Sequence, residues 1–209
     1  ADGTLAVIDG QHRAHAAALL GFAQVPAMIV SLSLQDEARA FAQINGQVTK
    51  LTPLQIYRAA LAAREAWALD CDRAVTAAGC KMMASNRSAA QKKAGEVYAI
   101  GTVRKLMAQK AGRYLTAALS GLRESGWGDD PAFYTAQWVE ALTRGAQLAG
   151  AADGFVMASF LKAVNLDGLE AAVLKMHKTP DYAGRSFVSL LADAVAVSIK
   201  AHVRGGAAA

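Results

Sequence analysis

Cysteine and proline are scarce in this chain, and long apolar runs are missing. Its 209 residues contain two cysteines, Cys71 and Cys80. They are nine positions apart, form no C-x-x-C pair and have no neighbouring histidine, so two reduced, partly buried thiols are expected rather than a zinc site. Of the four prolines, Pro53, Pro131 and Pro180 stand where helices are expected to start, and Pro26 stands at an extended entry. No apolar stretch reaches the roughly 18 residues of a membrane span; the richest, Ala192 to Ile199, is short. No leader pattern precedes the first helix, which with the free thiols predicts a cytoplasmic protein. Phosphate-cradling G-x-x-x-x-G-K-[ST], dinucleotide-type G-x-G-x-x-G and nucleophile-elbow G-x-S-x-G patterns are all missing, so those nucleotide and hydrolase chemistries have no carrier.

What is present is apolar and alanine-rich: hydrophobic residues make up 54% of the chain, enough to build a sizeable core. The formal net charge is +5, and it is concentrated. Between Lys81 and Arg113 lie Lys81, Arg87, Lys92, Lys93, Arg104, Lys105, Lys110 and Arg113 against the single acid Glu96, a net +7, so the rest of the chain is slightly acidic. Such a concentration suits a polyanion, DNA or RNA. A solvated basic face is the alternative reading. Lys81, Arg87, Lys92, Lys93, Arg104 and Lys105 are the candidate DNA contacts.

Near the start, Leu5-Ala6-Val7-Ile8 reads as a short strand running into Asp9-Gly10 and then a helix. Gln11, His12 and Arg13 fall at the helix mouth, where free N–H groups and the positive end of the helix dipole suit phosphate. Arg13 adds a forked cation, His12 a switchable donor, and Gly10 close backbone approach. His15 shares a helical face with His12. With Asp9 they do not complete a metal set of fixed geometry, so no metal is expected. Val25-Pro26 and Ala27 to Leu32 read as a second strand. Ser33 to Asp36 resembles a capping box ahead of a helix to Ile44, closed at Asn45-Gly46.

Thr52-Pro53 is a cap followed by a first-turn proline, predicting a helix to about Ala78. Helices are expected over Glu96–Ala108, Tyr114–Leu122, from Pro131 through Leu142, over Asp153–Val164 and Leu169–His177, and from Pro180 to the end. Trp127, in a Gly-Trp-Gly loop, is either a cover for the core or a base-stacking platform.

The run LAVIDGQHRAHAAALLGFAQVPAMIV, Leu5 to Val30, resembles the core of the ParB/sulfiredoxin superfamily: strand, G-x-x-R box, helix, Gly turn and V-P-strand. Against the ParB GERR-x-RA pattern, Gly10 matches the glycine, Arg13 the second arginine of the pair and His15 the following arginine. The wording DGQHR is similar to that of ParB-related proteins of mobile elements and DNA-modification systems. Phe41-Ala42-Gln43-Ile44-Asn45 and Leu51-Thr52-Pro53-Leu54 resemble the ParB blocks ending in E-N-x-Q-R and L-N-P-x-E. The resemblance covers about residues 5–60.

It implies an α+β, mainly α protein: the carboxyl-terminal half of a ParB/sulfiredoxin-like strand-helix-strand core over residues 1–50, then a helical domain over 51–209. Only four residues precede the first strand, so the resemblance implies further chain before Ala1. It assigns Asp9, Gly10, Gln11, His12, Arg13, His15 and Asn45 to phosphate or nucleotide binding, with a nucleoside triphosphate and Mg²⁺ as cofactor. It assigns DNA as partner, and it is compatible with a homodimer. By the same analogy, Asp70 to Lys93 is placed where a helix-turn-helix follows. Two departures matter. The arginine after the Asn45 block is missing, with only Lys50 nearby. Gln11 also stands where sulfiredoxins carry their cysteine, and an amide cannot act as that nucleophile. Three functions follow as expectations: a DNA-associated phosphate-binding protein, a nucleotide hydrolase or small-molecule kinase using the same pocket, or a structural module without ligand.

Overall fold

The computed structural model describes residues 5–48 and 51–206, without the side chains of Leu34, Ala42 and residues 44–48. Among the described residues there are ten α-helices and two strands. The fold is mainly α with a small sheet. The chain divides into two compact units, the first closing at Ala68 and the second opening at Leu69.

In the first unit, α1 spans Gln11–Leu19 and α2 Leu34–Val48. Ser33 caps α2: its hydroxyl accepts from the Asp36 N–H at 3.1 Å and donates to the Asp36 carboxylate at 2.7 Å. The helix continues past Asn45-Gly46 to Val48, so that pair does not end it. A reciprocal box starts α3, Pro53–Ala62: the Gln55 N–H donates to Thr52 Oγ1, and the Thr52 N–H donates to Gln55 Oε1. The expected single helix to Ala78 breaks after α3, where Arg64 takes a left-handed φ of 53°, and α4 begins anew at Ala66–Ala77. Gln35 Nε2 donates to the Ala63 carbonyl at 2.6 Å, joining the start of α2 to the end of α3.

The strands expected at 5–8 and 27–32 do not form. A strand exists only by pairing, and neither segment has a ladder partner. Most of their apolar side chains stay in solvent: Met28 is 89% exposed and Ile29 73%.

In the second unit, α4 stops at Gly79, and Lys81–Met82 (β1) pairs in parallel with Glu96–Val97 (β2). The Lys81 N–H donates to the Gly95 carbonyl and the Met83 N–H to the Val97 carbonyl. Gly95, at φ 80°, turns the returning chain into the ladder. Residues 83–95 form an irregular crossover with one 3₁₀ turn, Ala89–Gln91. The expected helix-turn-helix over Asp70–Lys93 is therefore not formed: a strand and loop stand where its second helix would lie. Glu96-Val97 likewise leaves the expected 96–108 helix, and α5 starts at Ile100, running to Ala108.

α6 (Gly112–Arg123), α7 (Ala136–Ala149), α8 (Gly154–Ala163), α9 (Leu166–His177) and α10 (Phe187–Gly206) complete the unit. Pro131 and Pro180 each open a 3₁₀ turn rather than the long helices expected of them. The Asp153 side chain caps α8 and the Asn165 side chain caps α9. α7 lies along α10, and α6 packs on α7 and α8. Close approach is made by glycine: a Cβ on Gly121 would fall 2.6 Å from Met157 Cβ, and one on Gly145 2.7 Å from Val195 Cβ. Leu115, Leu119, Leu122, Leu142, Met157 and Leu191 fill the centre, each below 3% exposed. Trp127 closes over this core, donating from Nε1 to the Val164 carbonyl and meeting the Phe133 ring edge-on. No helix among the described residues is long and apolar enough to cross a membrane.

Candidate functional site

The helix mouth at Gly10 is built as expected from its sequence. Gly10 adopts φ 82°, ψ 14°, and its carbonyl accepts from the Ala14 N–H at 2.9 Å. No side chain caps the helix. The Arg13 guanidinium folds back across Gly10 to Asp9, Nη2 to Oδ2 at 3.0 Å. The left-handed φ is what calls for glycine here; a Cβ on Gly10 would also sit 3.2 Å from Arg13 Nη2, the end of an exposed side chain free to shift. Both partners are exposed, 81% for Arg13 and 46% for Asp9, and an ion pair in water is easily exchanged. Gln11, His12 and His15 also face solvent. Arg13 can therefore exchange Asp9 for another anion at small cost. The Asn45 side chain lies outside the described residues.

The second unit holds a different arrangement. The 83–95 crossover shapes a concavity of about 350 Å³ lined by Arg87, Ala90, Gln91, Lys92 and Lys93. Its organising residue is Glu96. One carboxylate oxygen accepts from Arg87 Nη1 at 3.1 Å. The other accepts from the Lys93 N–H at 3.0 Å and from the Tyr98 hydroxyl at 2.8 Å. The Lys93 backbone bond, Tyr98 and the two cations together hold the Glu96 carboxyl below its ordinary range, against partial desolvation. The same carboxylate raises the Tyr98 phenol, after burial. Lys92 Nζ stands 4.7 Å from the Tyr98 ring centroid, a cation–π contact.

Of the six expected DNA contacts, Arg87, Lys92 and Lys93 are thus brought together. Lys105 is drawn away to α7, where Glu140 accepts its ammonium at 2.8 Å and also pairs with Arg144. Arg104 lies close enough to Cys71 to act on its thiol electrostatically. Lys81 is exposed at the start of β1. Glu96 and Tyr98 were not singled out from sequence, although Glu96 is the only acid in the basic segment. A further groove of about 540 Å³, bordered by Gln137, Asp167, Glu170, Leu174 and Phe187, left no signature in the sequence.

Both thiols are buried and free, Cys71 on α4 and Cys80 ahead of β1. Burial pushes each up to about 11. No cluster of three or more His, Cys, Asp or Glu side chains among the described residues could hold a metal ion. Comparison with family models, curated proteins and solved structures finds no match to this chain.

Proposed function

We propose that this protein associates with DNA, using the basic crossover of its second unit as the polyanion surface. The observation that carries this reading is the convergence of Arg87, Lys92 and Lys93 around one concavity, with Arg87 held by Glu96 and Lys92 held over the Tyr98 ring. A cation held in place before binding loses less side-chain entropy on meeting a phosphate than a free one. Phosphate contacts of this kind supply affinity and position rather than base-sequence preference. Duplex binding followed by fluorescence anisotropy across a salt series tests it. The expected result is an affinity that falls steeply with salt, as counterion release requires; an affinity indifferent to salt contradicts it.

A second phosphate site, for a nucleoside triphosphate with Mg²⁺, is proposed at Asp9-Gly10-Gln11-His12-Arg13. It is favoured by the uncapped first turn of α1 and by Arg13 standing across it, and by the resemblance of residues 5–30 to the ParB/sulfiredoxin superfamily. Gly10 lets the phosphate approach, first-turn N–H groups donate to its oxygens, and Arg13 exchanges Asp9 for it. Within this reading the chain binds the nucleotide; no residue is assigned to hydrolysis or phosphoryl transfer.

A further inference from the structure

We propose that the crossover pocket is selective for a phosphate monoester, such as the terminal phosphate of a nucleic-acid strand, over the diester linkages within it. The inference deepens the polyanion reading of the same residues and rests on it in taking a polynucleotide as the ligand. Three features distinguish this place from a flat basic face. It is a shallow, open hollow of about 350 Å³. Its donors are of three kinds, the Arg87 guanidinium, the Lys92 and Lys93 ammonium groups and the Gln91 amide, all lining the one concavity. Its charge is also that of a monoester partner. Arg87, Lys92 and Lys93 together with the Glu96 carboxylate that binds Arg87 leave a net +2.

A backbone diester carries one negative charge and two free oxygens. A monoester near pH 7 carries close to two charges and offers three terminal oxygens. The monoester matches the pocket's net charge and, with three terminal oxygens, can engage more of its donors at once than a diester can. Glu96 holds the Arg87 guanidinium in place, and the dianion of a monoester gains more from the three cations than the single charge of a diester does. Lys92, held over the Tyr98 ring, keeps its ammonium near the pocket without filling it.

A strand end and a free mononucleotide present the same chemistry, and the experiment separates them. Single strands of one sequence, with a 5′-phosphate or a 5′-hydroxyl, are titrated against the full chain by anisotropy, with AMP and inorganic phosphate as competitors. Wild type, Arg87→Ala/Lys93→Ala and Lys175→Ala are compared; Lys175 is a cation on α9, outside the pocket. The expected result is a preference of roughly tenfold for the phosphorylated strand, the scale of one charge-assisted hydrogen bond. That preference should vanish in the double variant and persist in Lys175→Ala. Equal, measurable binding of the two strands overturns the proposal, and so does a preference that survives in the double variant. Salt-sensitive duplex binding without any end preference removes the monoester pocket and leaves the polyanion reading standing. AMP binding that depends on Arg87 and Lys93, without binding of any strand, supports the monoester pocket with a free nucleotide as its source and removes the polynucleotide reading.

Discussion

Arg87 and Glu96, nine residues apart in sequence, meet at 3.1 Å where the crossover returns to the sheet. Glu96 is thereby bonded to three groups, Arg87, the Lys93 N–H and Tyr98, and the basic loop takes its shape from this one acid. Because the folded carboxyl is held below its ordinary 4.5, its contribution is complete above that value and is lost as pH falls through the folded one. The Lys93 amide resonance should therefore titrate with a midpoint below 4.5, and Glu96→Gln should abolish that titration. A midpoint at or above 4.5 would show that the three bonds do not persist in solution.

The Asp9–Arg13 pair makes the helix mouth testable. Removing the competing carboxylate in Asp9→Asn should tighten binding of a nucleoside triphosphate with Mg²⁺, and Arg13→Ala should abolish it. Helix stability should change by no more than about 0.5 kcal/mol, as for other exposed pairs one turn apart. Calorimetric titration of the three proteins decides the matter. Equal binding by wild type and Arg13→Ala would remove the turn as a phosphate site.

Two glycines should respond in opposite directions to the same substitution. At Gly145, where α7 meets α10, an added methyl group runs into Val195 and the Ala192 carbonyl, so Gly145→Ala should cost about 1–3 kcal/mol. At Gly101 on α5 nothing stands within 4 Å, and Gly101→Ala should stabilise by about 0.5–1 kcal/mol through helix propensity. Urea unfolding reads both; a neutral Gly145→Ala would contradict the α7–α10 packing.

Cys71 and Cys80 should be silent to thiol reagents in the native protein at pH 8, since burial has raised both to about 11 and only the thiolate reacts. Both should react once the chain is unfolded in urea. Rapid native labelling of either would show that the region around α4 and β1 opens readily.

The features legible in the sequence are those with local causes. The Thr52-Pro53 helix start and the Ser33–Asp36 cap each rest on residues within three positions of one another, and each forms. The break at Arg64 carried no glycine or proline to announce it. β1 and β2 are two residues each and exist only through pairing across the 83–95 loop, so no periodicity could reveal them. The extended segments at 5–8 and 27–32 show the converse: apolar patterning suggested strands, but a strand also needs a partner. In the site, the charge of the 81–113 segment was plain to read. Its division was not, because Lys105 is taken by Glu140, 35 positions away, while Arg87, Lys92 and Lys93 are gathered by a loop.

Whether the crossover is the polyanion surface is read from the salt dependence of duplex DNA binding in wild type and Arg87→Ala/Lys93→Ala. If the crossover is the polyanion surface, the double variant should bind more weakly, and the slope of log K against log salt should become shallower by about two, one for each phosphate contact removed. Affinity and slope unchanged from wild type would place any DNA contact elsewhere on the chain.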